Sequence, residues 1–231
     1  MYKYARNRKV SINKIGQRIV MLIEKFIFLF EKDKPVYVEF SRFNYLMDIE
    51  DNYIIIKNEL LKFTIDNFKS MEELSIEQQR IVKENQWKVL FLKACGIEIQ
   101  RNSIYFPNTY QLLKNNKIKN AFFSILQPNT HITPHRGVYK GFLRYHLGLV
   151  IPKNGEVGIK IDNVSYHWEE GKSLIFDDTF IHEAWNFTNE KRIILLLDIE
   201  RDFKFPFNLI NKIIIFIISL SPLIRSIIKK S

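Results

Sequence analysis

The chain has 231 residues, 46% of them hydrophobic and 26% charged, with one cysteine and a formal net charge of +10. That length suits one domain with a substantial core rather than two, and a lone Cys95 excludes an internal disulfide framework and fits a reducing compartment. The charge sits at the ends: residues 1–18 carry six bases and 208–231 carry four, with no acid in either, leaving 25 bases against 25 acids between them. A nucleic-acid partner is therefore not expected, because the central region has no excess of base to build a binding face.

The basic start runs into an apolar patch containing Glu24 and Lys25, without a small-residue cleavage site, so it does not read as a secretory signal. Apolar residues from Ile12 through Ile15, Ile19, Ile23 and Ile27 to Phe30 recur at helical spacing, which predicts a basic amphipathic helix. Such a helix docks on an anionic membrane surface or packs on the domain. Pro35 closes it, and residues 1–34 form a terminal segment. An extended stretch follows at Val36–Phe40. Asp48–Phe68 reads as a helix with acids early and lysines late, Glu72–Lys83 as a polar connection, and Trp87–Gly96 as a strand. Pro107 begins a loop that leads into a short helix.

From Ala121 the pattern changes to short apolar runs separated by turn residues. Strands are predicted at 122–126, 142–151, 157–161, 165–168, 173–176, 182–187 and 192–199. Their spacing indicates a mainly β jelly roll with flanking helices, one domain over 35–207. Residues 208–231 are apolar nearly all round but are interrupted by Pro222 and Arg225, which suits a monotopic anchor better than a membrane span. The protein is thus expected at a membrane, on the cytoplasmic side, the alternative being a soluble cytoplasmic domain.

All five histidines lie between residues 131 and 182. His135 and His182 stand at opposite ends of the β-rich region, where a jelly roll brings distant segments together at its mouth. Two histidines with a carboxylate would suit non-haem iron, but the position two residues after His135 is Gly137, so two protein ligands at most are evident. Arg192 opens the apolar run RIILLLDI, and Arg144 and His146 share one face of FLRYHLGL. Cationic groups around a metal match a dicarboxylate, which a guanidinium can hold bidentately. Each feature also has a structural explanation: Arg192 could pair with Asp198 or Glu200, and Arg144 with Asp177 or Asp178, while His131 and His167 receive no role.

The motifs FSILQPNTHITPHRG, LRYHLGLVIP and WEEGKSLIFDDTFIHEAWN, closed by Arg192, resemble the aspartyl/asparaginyl β-hydroxylase family of Fe(II)- and 2-oxoglutarate-dependent dioxygenases. The resemblance covers at least Phe122–Glu200 and implies a double-stranded β-helix, a cupin-like jelly roll. It implies His135 and His182 as iron ligands, Ser124 and Arg192 at the distal carboxylate of 2-oxoglutarate, and Arg144 and His146 around its chelating end, with O2 as second co-substrate. Gly137 matches the animal peptide hydroxylases of that family, in which water replaces the missing carboxylate. LRYHLGL, the DIER sequence ending at Arg201 and the apolar flanks resemble its lipid A hydroxylase branch. The substrate expected is therefore an Asp or Asn β-carbon of a peptide, or a fatty acyl chain of a lipid. The alternative is a catalytically inactive jelly-roll module that binds a carboxylate ligand or lipid head group.

Overall fold

The computed structural model describes residues 22–24, 36–37, 43–64, 68–74, 80–137 and 139–230. The predicted N-terminal helix lies outside them except for 22–24, which are helical, and of the extended stretch only Val36–Tyr37 is described, as strand β1. Two helices follow, α1 (Asn44–Asp51) and α2 (Tyr53–Lys62), then β2 (Lys69–Ser70), α3 (Met71–Leu74), β3 (Trp87–Ala94), β4 (Ile97–Glu98), α4 (Gln100–Ser103) and α5 (Pro107–Leu112). The β-rich half comprises β5 (Ile118–Leu126), β6 (Thr130–His135), β7 (Phe142–Val150), β8 (Val157–Ile161), β9 (Val164–Tyr166), β10 (Ser173–Phe176), β11 (His182–Asn186) and β12 (Arg192–Glu200). Helices α6 (Phe207–Ser219) and α7 (Pro222–Lys230) end the chain.

Strands β5 to β12 build two antiparallel sheets that the chain visits in turn. The larger runs β1-β10-β7-β12-β5-β3-β2, with β4 paired to β3, and the smaller runs β6-β11-β8-β9. The order 5-12-7-10 facing 6-11-8-9 is a double-stranded β-helix, the jelly roll expected from the strand spacing. Alternation along β12 sorts its side chains into two layers. Leu195 and Leu197 join Leu46, Ile49, Ile56 and Leu60 of α1 and α2 in one apolar cluster. Ile194 and Leu196 face the other way, with Val89 and Phe122, onto Ile132, Ile159 and Ala184 of the small sheet. The large sheet is therefore covered on both faces, which explains why β12 reads as a continuous apolar run. Replacing a fully buried leucine such as Leu195 by alanine costs about 2–5 kcal/mol.

Three expectations need correction. Strand β6 is absent from the predicted strands; it carries Pro134 and is the edge of the small sheet, paired among the described residues to β11 alone, where a proline sacrifices no ladder bond. The predicted helix over Asp48–Phe68 is two helices ending at Lys62, broken at Asn52, whose side-chain amide donates to the Asp48 carbonyl at 2.8 Å. Its buried stripe is Ile56 and Leu60, while Ile55 and Leu61 face solvent. Finally, the C-terminal segment, expected as one helix, is two helices bent by 51°; among the described residues no single helix is long and apolar enough to cross a membrane, which the interrupted sequence already argued against.

Candidate active site

His135, the last residue of β6, stands directly opposite His182, the first residue of β11. Their ring centroids are 4.2 Å apart. The His135 Nδ1 lies 2.8 Å from the Thr133 carbonyl and the His182 Nδ1 lies 2.9 Å from the Phe180 carbonyl. Since a carbonyl only accepts, each Nδ1 carries its proton and each Nε2 keeps a free lone pair, the tautomer a metal requires. Burial, with the Arg144 guanidinium nearby, pushes the His135 imidazole down to about 4. Burial and the facing His135 hold His182 well below the ordinary range. His182 is 4% exposed and His135 is partly open at the mouth. Two neutral, oriented imidazoles fit a borderline divalent ion such as Fe(II). Among the described residues no group of three or more His, Cys, Asp or Glu could hold a metal, so the histidine pair is the whole protein donor set that fits.

Gly137 explains part of that shortfall. A Cβ built there would meet the Asp178 carboxylate at 2.2 Å, while the Gly137 N–H donates to the Asp178 carbonyl at 2.6 Å. The volume a side chain at 137 would fill is already taken by a carboxylate from the loop before β11. Asp178 pairs with Arg144 at 3.1 Å, and Arg144 also donates through Nε to Asp198 at 3.0 Å. Burial nevertheless pushes Asp178 up to about 6, against the pull of Arg144. Arg144 therefore reaches the cavity already held by two carboxylates.

His146 and Arg192 differ, because both are left wanting a partner. The indole N–H of Trp168 donates to His146 Nδ1 at 3.4 Å, which puts the imidazole proton on Nε2, and that buried Nε2 has no acceptor among the described residues. The Phe176 ring stands 5.0 Å from His146 and 5.5 Å from His182, so the two histidines share one wall. Arg192 is 2% exposed, lies 4.6 Å over the Trp168 ring and, among the described residues, has only a long 3.5 Å bond to the Ser124 carbonyl. Its Nε has no partner among the described residues, and burial alone pushes the guanidinium down to about 9. An unpaired buried cation is expensive, so a polar atom orphaned in such a place calls for a ligand. Ser124 lies on the same face of the sheet, its hydroxyl oxygen accepting from the Trp87 indole at 2.9 Å, which leaves the hydroxyl proton free to donate.

The fold thus gathers His135, His182, Ser124, Arg144, His146 and Arg192 around the space between the sheets. His131 pairs with Glu183 at 2.9 Å on the surface, and His167 meets the Val157 carbonyl at 3.1 Å; neither joins them. Arg144 pairs with Asp178, one of the two partners expected for it, while Arg192 meets neither Asp198 nor Glu200. Asp198 belongs to Arg144 rather than Arg192, and Asp177 is buried with Lys140 at 3.1 Å and with Arg201. Trp168 and Phe176 went unrecognised in the sequence; the only signal was the aromatic in each of the motifs HWEEG and LIFDD.

Residues 50–202 match the family described as Aspartyl/Asparaginyl beta-hydroxylase. The chain belongs to that family. This hydroxylase-family chain is 35% identical over 195 residues to the ornithine lipid ester-linked acyl 2-hydroxylase of Rhizobium tropici, covering 83% of this chain and 69% of that one. It is 34% identical over 160 residues to the aspartyl/asparaginyl beta-hydroxylase of Homo sapiens, covering 65% of this chain but only 20% of the human one. Among solved structures, a Pseudomonas putida prolyl-4-hydroxylase aligns at 12% identity with a TM-score of 0.41, over 65% of this chain and 88% of that one.

Proposed function

We propose that this chain is an Fe(II)- and 2-oxoglutarate-dependent dioxygenase that hydroxylates a fatty acyl chain of a lipid. The observation that carries the co-substrate is Arg192, a guanidinium 2% exposed with no carboxylate partner among the described residues. A dicarboxylate supplies the missing anion: Arg192 and the free proton of Ser124 hold its distal end, and the Nε2–H of His146 donates toward its other end, beside the metal-binding pair. His135 and His182 would hold the metal through Nε2, each ring fixed by its Nδ1–H bond to a backbone carbonyl. The metal when bound supplies the oxidising chemistry with dioxygen and 2-oxoglutarate. The protein's part is orientation and exclusion of water, and Phe176 and Trp168 line that space.

Lipid as substrate is supported by the Rhizobium tropici relative, the match that extends over 83% of this chain and most of its own length. Gly137 favours a second reading, hydroxylation of a peptide Asp or Asn, through its match to the animal peptide hydroxylases. The two separate by mass spectrometry. Purified protein with Fe(II), 2-oxoglutarate and either an acyl ornithine lipid or an Asp/Asn peptide should add one oxygen, about 16 Da, to the lipid only. Addition to the peptide only would transfer the assignment to the second reading, and neither product together with no succinate would leave an inactive binding module.

A further inference from the structure

Helix α6 divides its apolar residues between two opposed faces. Asn211, Ile214 and Ile215 are buried against Tyr139 and Phe142 at the start of β7. The other side carries Leu209, Ile213, Phe216, Ile217 and Leu220, each 51–64% exposed, and Phe205 just before the helix is 80% exposed. Positions 209, 213, 216, 217 and 220 follow i, i+4, i+7, i+8, i+11, so they form one stripe along the helix. Five large apolar side chains on one exposed stripe, with Phe205 exposed just before the helix, mark an interaction surface.

The surroundings of the stripe are cationic. Residues 203–231 contain Lys204, Lys212, Arg225, Lys229 and Lys230 and no acid. A cavity of about 460 Å³ at the root of the helix is lined by Lys212, Ile215 and Phe216 together with the ion pairs Lys117–Asp202 and Lys119–Glu200, so Lys212 and the lysines and arginine of the C-terminal helices supply the basic rim. Ile23 packs on the same apolar cluster as Ile214 and Ile215, with Leu22 beside it 58% exposed. In the sequence, Leu22 and Ile23 follow the six bases of residues 1–18, Arg18 preceding Leu22 by four residues. A second copy of this chain would bring like charges together across such a face, whereas an anionic lipid surface matches both the apolar stripe and its basic rim.

We infer that α6 is an in-plane docking helix for an anionic lipid bilayer, with Leu209, Ile213, Phe216, Ile217 and Leu220 entering the acyl boundary and the flanking lysines meeting the headgroups. The docked helix is bolted to the loop that follows His135. The Tyr139 hydroxyl bonds the Asn211 side-chain oxygen at 2.9 Å, and the Asn211 amide donates to the Gly141 and Arg201 carbonyls at 3.2 and 3.3 Å. Glu24 reaches the same loop, accepting from the Lys140 backbone N–H at 3.2 Å and pairing with Arg136 at 3.3 Å. Docking therefore holds the segment between His135 and β7 at the lipid surface. This deepens the lipid reading above, yet it does not depend on the chemistry.

The test is co-sedimentation of the full chain with phosphatidylcholine vesicles with or without a quarter of phosphatidylglycerol. Wild type should bind the anionic vesicles at least tenfold more tightly than the neutral ones. Replacing Ile213, Phe216 and Ile217 together by Asn, at exposed positions, should lower that binding roughly a hundredfold with unchanged thermal midpoint and circular dichroism. The His182→Ala protein should bind as wild type does while losing 2-oxoglutarate turnover, so failure of the docking and failure of the chemistry are told apart. Wild type that ignores anionic vesicles, a triple variant that binds as well as wild type, or a concentration-dependent dimer abolished by the triple variant would each overturn the inference.

Discussion

Arg192→Met should make the protein more stable and at the same time blind to 2-oxoglutarate. Arg192 is 2% exposed, lacks any carboxylate partner among the described residues, and has its guanidinium pushed down to about 9 by burial alone. It thus subtracts from folding stability at neutral pH, and because the folded-state value is depressed, that penalty eases only as pH rises through about 9. A methionine of similar reach keeps the contact with Trp168 and removes the charge; exchanges of this kind stabilise by about 1–4 kcal/mol. For a chain of this size 1 kcal/mol moves the midpoint by about 2–4 °C, so a rise of several degrees is expected for the ligand-free protein. With Mn(II) and 2-oxoglutarate at about a hundred times the dissociation constant, wild type should gain about 2.7 kcal/mol by mass action, and the variant almost nothing. Thermal melts of both proteins with and without 2-oxoglutarate give the four numbers needed. A variant that is less stable without ligand, or that gains as much from 2-oxoglutarate as wild type, would refute the reasoning that Arg192 waits for an anion.

Gly137→Ala should destabilise by about 1–3 kcal/mol in urea unfolding, because its Cβ falls 2.2 Å from the Asp178 carboxylate; adding Asp178→Ala should recover at least 1 kcal/mol of that loss, a coupling read from the double-mutant cycle. Asp177→Ala should cost about 3–5 kcal/mol by the same measurement, since it strips a buried carboxylate from Lys140 and Arg201. Burial, and after it the Asp198 carboxylate, pushes the Cys95 thiol from 9.0 up to about 11. Thiolate at pH 8 is thereby reduced about a hundredfold, and alkylation by iodoacetamide should be slower than in the unfolded chain by a similar factor.

How far these properties could be read from the sequence depended on whether the determining contact was local. Strands β7, β10 and β12 announced themselves because a covered sheet writes apolar runs, and the side-chain alternation that puts Arg144 and His146 on one face needs only two residues of spacing. The convergence of His135 and His182 followed from jelly-roll topology once the strands were placed. What stayed hidden was set by partners far along the chain. Strand β6 carries a proline that only its edge position makes harmless. At the break, the side-chain amide and the backbone N–H of Asn52 both donate to the Asp48 carbonyl. Gly137 looked like an absence, and its reason lies 41 residues away in the volume of Asp178. Asp198 alternates with Ile194 and Leu196 toward the small sheet and so meets Arg144 across the β7–β12 ladder, whereas sequence proximity favoured a pairing with Arg192. The exposed stripe of α6 was legible as apolar character; which side of the helix it occupied required the contacts of Ile214 and Ile215.

The central claim is that His135 and His182 together hold the metal on which turnover depends. Succinate formed from 2-oxoglutarate by the intact protein, with Fe(II) and oxygen supplied, tests it most directly. Wild type should release succinate, and His182→Ala, folded as judged by circular dichroism, should release none above the protein-free background. Full turnover by His182→Ala, or none by wild type with its co-substrates present, would contradict the account.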